Sequence, residues 1–162
     1  MRRFGLAGCV VVMAGLMAAG CNDATKGVAI YQATLTGGGE TPPRATGADG
    51  AVGFDVDGTT VHYSIEIHAI TGVTGAHIHA GGAGTNGPIV VALYPGPGVN
   101  FSTTPTAGVD GVLIQGSFTA GDVTGVSFDT LLSRMGDGTA YANVHTTAFP
   151  GGEIRGQIQQ VK

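Results

Sequence analysis

The sequence predicts an all-β domain, an antiparallel β-sandwich or Greek-key-like barrel of about eight short strands with one short helix. Three observations carry this reading. Eight segments alternate apolar or β-branched residues with polar ones, each segment is bounded by Gly, Pro, Asn or Asp, and a single stretch has helical spacing. The 30 glycines interrupt segments rich in Val and Ile, which marks them as turns and bulges of a folded domain and not as a low-complexity chain.

The N-terminus stands outside that domain. Arg2-Arg3, an apolar run over 6–17 and the small residues Ala18-Ala19-Gly20 are built like a secretion signal, and the run is short for a membrane span. Ala-Ala-Gly-Cys resembles the bacterial lipobox, whose cysteine becomes the lipidated first residue. The expected organisation is therefore a lipoprotein signal peptide over 1–20, a tether over 21–27 that begins at lipidated Cys21, and one domain over 28–162. The expected location is the cell envelope, lipid-anchored and facing the periplasm or the cell surface, with the membrane reached through that lipid.

Cys9 leaves with the signal and Cys21 carries lipid, so neither a disulfide nor a thiolate metal site is available to the domain. A chain of this length buries a core without such staples. Loss of Arg2 and Arg3 leaves five basic against eleven acidic residues, a mature net charge of −6, which disfavours nucleic acid as a partner.

Strands are expected over 29–36, 51–56, 61–67, 73–78, 89–94, 112–118, 140–144 and 154–161. Asp57-Gly58 lies between the second and third and has the composition of a tight hairpin turn needing positive φ, so those two strands should pair antiparallel. In the third, Val61, Tyr63, Ile65 and Ile67 form an apolar face opposite His62, Ser64, Glu66 and His68. The aperiodic stretch "LYPGPGVNFSTTPTAGVDG" reads as a long loop near the functional end. In "SFDTLLSRM", over 127–135, Phe128, Leu131, Leu132 and Met135 fall at helical spacing, with Gly136 as the expected stop.

The chemistry-bearing residues are mainly histidines. His77 and His79 are two apart on a strand, so both imidazoles share one face while Ile78 turns to the core. A third ligand must come from another strand, and His145 precedes a turn at a strand end as His79 does. Imidazoles without thiolates suit copper(II) or zinc. His68 is a fourth candidate from the exposed face of its own strand. Tyr141 and Asn143 share the face of His145 and can supply hydrogen bonds around an ion. Glu153 and Arg155 alternate with Ile154 and Gly156, so their charges are expected together as a cross-strand ion pair in the surroundings of the site. An all-histidine site should lose affinity as pH drops through about 6.5, where free imidazole protonates. No catalytic residues are legible: Glu66 and Glu153 have no nucleophile to serve, and there is no nucleophile elbow, P-loop or dinucleotide fingerprint.

Three stretches, "YQATLTGGGETPP", "VTGAHIHAGGAGTNGPIVVALY" and "GDGTAYANVHTTAFPGGEIRGQI", resemble in order and spacing the CHRD domain, the module named after chordin. The resemblance runs over about 28–159. It implies a compact β-rich extracellular domain whose hallmark histidines correspond to His77, His79 and His145, and it implies little about activity. The paired histidines, the distant third and Arg155 are also similar to copper-zinc superoxide dismutase. The chain departs from that family by lacking its disulfide cysteines and its zinc-binding loop, so a dismutase here would be copper-only.

The expected function is an envelope-anchored module binding one copper or zinc ion as a carrier, buffer or structural site. The alternatives are a protein-interaction or adhesion module with bracing histidines, and a copper-only dismutase-like enzyme with Arg155 as guiding cation.

Overall fold

The computed structural model describes residues 28–162, so the expected signal peptide, the lipidated Cys21 and the tether over 21–27 lie outside the described residues. Nine strands are present: β1 (Ala29–Thr36), β2 (Asp49–Asp57), β3 (Thr60–Ile70), β4 (Val73–Ala80), β5 (Ile89–Tyr94), β6 (Val109–Thr119), β7 (Ala140–Thr146), β8 (Ile154–Gln157) and β9 (Gln159–Gln160). Helix α1 (Phe128–Asp137) joins β6 to β7. Each of the eight predicted segments forms strand. The run expected over 154–161 is interrupted at Ile158, whose N–H donates to the Ala140 carbonyl at 3.0 Å, so it divides into β8 and β9.

Every strand pairing is antiparallel, in the order β5-β4-β7-β8-β1-β2-β3-β6, with β9 also on β1. The two outer strands approach each other. Thr124 N–H, just past β6, donates to Val90 O in β5 at 2.9 Å, and Tyr63 Oη in β3 donates to Leu93 O in β5 at 2.6 Å. The sheet thereby curls into a nearly closed barrel, the architecture that removes exposed strand edges.

The β2–β3 hairpin closes with Asp57 opposite Thr60, leaving Gly58 and Thr59 as the turn. Gly58 has φ 60°, a conformation any side chain would resist, which is why glycine stands there. Val61, Tyr63, Ile65 and Ile67 are buried as their alternation requires, against Leu35, Phe54, Ile78, Leu93, Phe118 and Ile154. Fully burying a side chain of this size contributes about 1.5–3 kcal/mol.

In α1, Ser127 caps the N-terminus by accepting from Thr130 N–H at 3.2 Å, and Leu131 and Met135 enter the core. The stop differs from the expected Gly136, which lies within the helix. Gly138 ends it instead, in the left-handed conformation at φ 74°, with its N–H donating to Arg134 O.

For the site, the decisive feature is that β4 and β7 are covered on both faces. All seven residues of β7 are buried, and so are His77, Ile78 and His79 of β4. One face of this pair lines the barrel interior. The other lies beneath the connections at 81–88, 95–108 and 147–153.

Candidate metal centre

The β4–β7 register sets Gly75 opposite His145, His77 opposite Asn143 and His79 opposite Tyr141. All six therefore share the outer face, and β8 continues it with Arg155 opposite Asn143 and Gln157 opposite Tyr141. Ile78 points inward, as the alternation requires. His77, His79 and His145 come together with ring centroids 4.8 Å (77–145), 5.7 Å (77–79) and 6.2 Å (79–145) apart. One ring nitrogen from each lies within 4.8 Å of those of the other two. The three residues are 0, 7 and 5 % exposed, in the order His77, His79, His145, so the cluster is buried.

Each imidazole is pinned by a different connection. His77 Nε2–H donates to Asn100 O at 2.6 Å, His79 Nδ1–H to Gly87 O at 2.8 Å and His145 Nδ1–H to Pro150 O at 2.9 Å. A carbonyl only accepts, so each of these nitrogens carries the proton and the opposite nitrogen of each neutral ring bears a bare lone pair. Those lone pairs sit on His77 Nδ1, His79 Nε2 and His145 Nε2. The first two are buried with no hydrogen-bond partner, and the third faces Asn143 Oδ1 at 3.1 Å. Orphaned buried acceptors that converge, on rings whose other nitrogen is held by a backbone carbonyl, are what a metal ion satisfies. The donor set fits zinc or copper.

Burial pushes the His77 imidazole down to about 3, helped by the neighbouring His145 and His79 and opposed by the Asn100 carbonyl. Burial likewise takes His79 down to about 4, against the Gly87 carbonyl, and lowers His145 against the Pro150 carbonyl. The rings are held neutral, the form that binds metal. Proton competition in the folded domain consequently sets in well below the pH of about 6.5 expected for free imidazoles.

Tyr141 stacks on His79 with centroids 4.7 Å apart and planes 7° from parallel, and its hydroxyl accepts from Gly87 N–H at 3.2 Å. On the outer side of Tyr141 lies the Arg155 guanidinium, 3.3 Å from the ring centroid. Arg155 is 1 % exposed and holds the 81–88 connection through Asn86 Oδ1, Gly82 O and Thr85 O, with a further bond to Gln157 Oε1. Phe101 covers the remaining side, its ring edge-on to His77 at 5.0 Å and to His145 at 5.3 Å. The long loop after β5 thus reaches the cluster. Gly75 permits that approach, because a Cβ there would lie 2.7 Å from Asn100 O and 3.0 Å from Phe101.

Two expectations are corrected. His68 is not brought to the cluster: it sits on the exposed face of β3, bonded to Asp110 at 2.6 Å, with Glu66 at 3.5 Å. The hydrogen bond and charge of Asp110 raise its pKa. Glu153 and Arg155 do not form an ion pair. Glu153 instead accepts from Thr46 Oγ1 and Thr146 Oγ1, both at 2.7 Å, while Arg155 serves the 81–88 connection. Glu153 therefore ties Thr146 of β7 to Thr46 in the β1–β2 connection.

Sequence reasoning overlooked Glu40, Asn100 and Phe101. Glu40 is buried beside the Asn143 amide, and its Oε1 has no hydrogen-bond partner. Burial raises its pKa, opposed by the charge of Arg155, a backbone bond from Thr41, the Asn143 amide and Arg44.

Fold and site together define a nearly closed antiparallel β-barrel with a buried three-histidine cluster beneath its loops. The CHRD domain family model matches residues 31–158, almost the whole described chain, and the chain belongs to that family. Comparison with curated proteins and with solved structures returns no match.

Proposed function

We propose that the domain binds one copper or zinc ion through His77, His79 and His145 and acts as a metal carrier, buffer or structural site at the cell envelope, tethered by lipid on Cys21. The carrying observation is that the three buried rings bring a nitrogen each to within 4.8 Å of the others, while a loop carbonyl fixes the proton of each ring on one nitrogen and leaves the other with a free lone pair. Rings that merely braced those loops would need only the outward bonds, and nothing would require the inward nitrogens to be buried together.

Binding is favoured over dismutase-like turnover by the position of Arg155. A guiding cation must meet an incoming anion, and this guanidinium is enclosed by Tyr141 and three groups of the 81–88 connection.

The test is metal content of the full chain, purified without a histidine tag, loaded separately with copper and zinc and dialysed. About one equivalent is expected in the parent and none in a His77→Ala/His79→Ala variant. A metal-free parent, with the variant equally well folded, would give the histidines a bracing role and favour the interaction-module reading. Superoxide turnover by copper-loaded protein would reinstate the enzyme.

A further inference from the structure

Asn143 occupies a place that the three-histidine description leaves unexplained. Its Oδ1 faces His145 Nε2 at 3.1 Å. Because His145 Nδ1 donates to Pro150 O, Nε2 of the neutral ring has no hydrogen to offer, and two lone pairs point at each other. Turning the amide over would relieve this, but it would aim Oδ1 at Glu40. The present orientation sets Asn143 Nδ2 beside the Glu40 carboxylate, and a side chain on Gly152 would collide with Glu40 Oε1 and Asn143 Nδ2 together. Glu40 is 5 % exposed and its Oε1 has no hydrogen-bond partner.

Resting on the three-histidine reading above, we propose that Asn143 Oδ1 is the fourth donor of the site, aimed by Glu40, and that this N3O set selects a divalent ion over copper(I). A cation between Oδ1 and the ring nitrogens turns an acceptor–acceptor opposition into shared coordination. Drawing electron density from Oδ1 also makes Nδ2–H a stronger donor, which tightens the amide onto Glu40 and satisfies its orphaned oxygen. Glu40 is thus a positioning residue, and its negative charge offsets an ion held otherwise by neutral ligands. An amide oxygen is a hard donor that adds to the affinity for zinc(II) or copper(II) and adds little for copper(I), which prefers soft ligands.

The test compares zinc(II) and copper(I) affinities of the full chain with those of Asn143→Ala and Glu40→Gln. Asn143→Ala should weaken zinc(II) by more than tenfold and leave copper(I) within about threefold of the parent. Glu40→Gln should weaken zinc(II) by about tenfold, in the range known for partners of metal ligands. Equal losses for both ions would mean general damage to the site and would overturn the proposal, as would parent-like zinc(II) binding in Asn143→Ala. Should that variant not fold, the parent decides. On titration with zinc(II), the Asn143 side-chain carbonyl carbon of isotope-labelled protein should shift downfield and saturate at one equivalent, and an unmoved resonance in zinc-loaded protein overturns the assignment. Absence of any metal in the parent removes the three-histidine reading itself, a different failure from zinc binding that ignores Asn143.

Discussion

His77 and His79 meet as neutral rings because burial makes each a poor base, with values of about 3 and 4 in the folded domain. In the unfolded chain both titrate near 6.5. The unfolded state therefore takes up protons that the folded state refuses. Their contribution to stability is whole above pH of about 6.5 and is lost as pH falls from there through the folded values. The denaturation midpoint of metal-free protein should be lower at pH 4.5 than at pH 7, and the His77→Ala/His79→Ala variant should flatten that dependence. A parent midpoint unchanged between the two would show that the rings protonate freely. His77 and His79 were legible at this scale because a two-residue spacing on a strand fixes their common face. Glu40 was not, because a carboxylate in a Gly-Pro-rich turn reads as surface until the fold shows what covers it.

Half-buried strands could be read from the sequence for the same reason: period-two alternation survives as alternating burial in β1, β2 and β3, whereas β5 and β7, covered on both faces, were legible only as short apolar runs between turn residues. What could not be read were the connections. Asn100 O, Gly87 O and Pro150 O pin the imidazoles from segments with no periodicity, and a backbone carbonyl leaves no trace in residue identity. Arg155 shows the same limit. Alternation correctly put it on the outer face of β8, but its partners come from the remote 81–88 connection and not from Glu153. Arg155→Ala removes those bonds and the stacking on Tyr141, and should cost about 3 kcal/mol or more. Arg155→Lys should recover little, since an ammonium cannot reproduce the planar fork. Urea denaturation measures both, and metal affinity should fall in parallel because the same connection supplies Gly87 O to His79. A stable Arg155→Ala variant with normal affinity would show that the connection holds its shape unaided.

At the scale of the whole molecule the barrel and the cluster are one packing problem. The sheet buries β4 and β7 on one face and the connections bury them on the other, so an ion bound as proposed would enter a site whose walls already exist. An ion held by the folded state alone, supplied at a thousand times its Kd, adds about 4 kcal/mol, read as a raised denaturation midpoint. The three ligands are also far from equivalent along the chain. His77 and His79 are near neighbours, whereas β5, β6 and α1 are all threaded between them and His145. No three-ligand grip exists until that intervening length has found its place. Metal should accordingly leave the refolding rate of the chain nearly unchanged and slow its unfolding. On the proposed reading capture would come last in the order of events, and loss of an ion would leave the barrel standing.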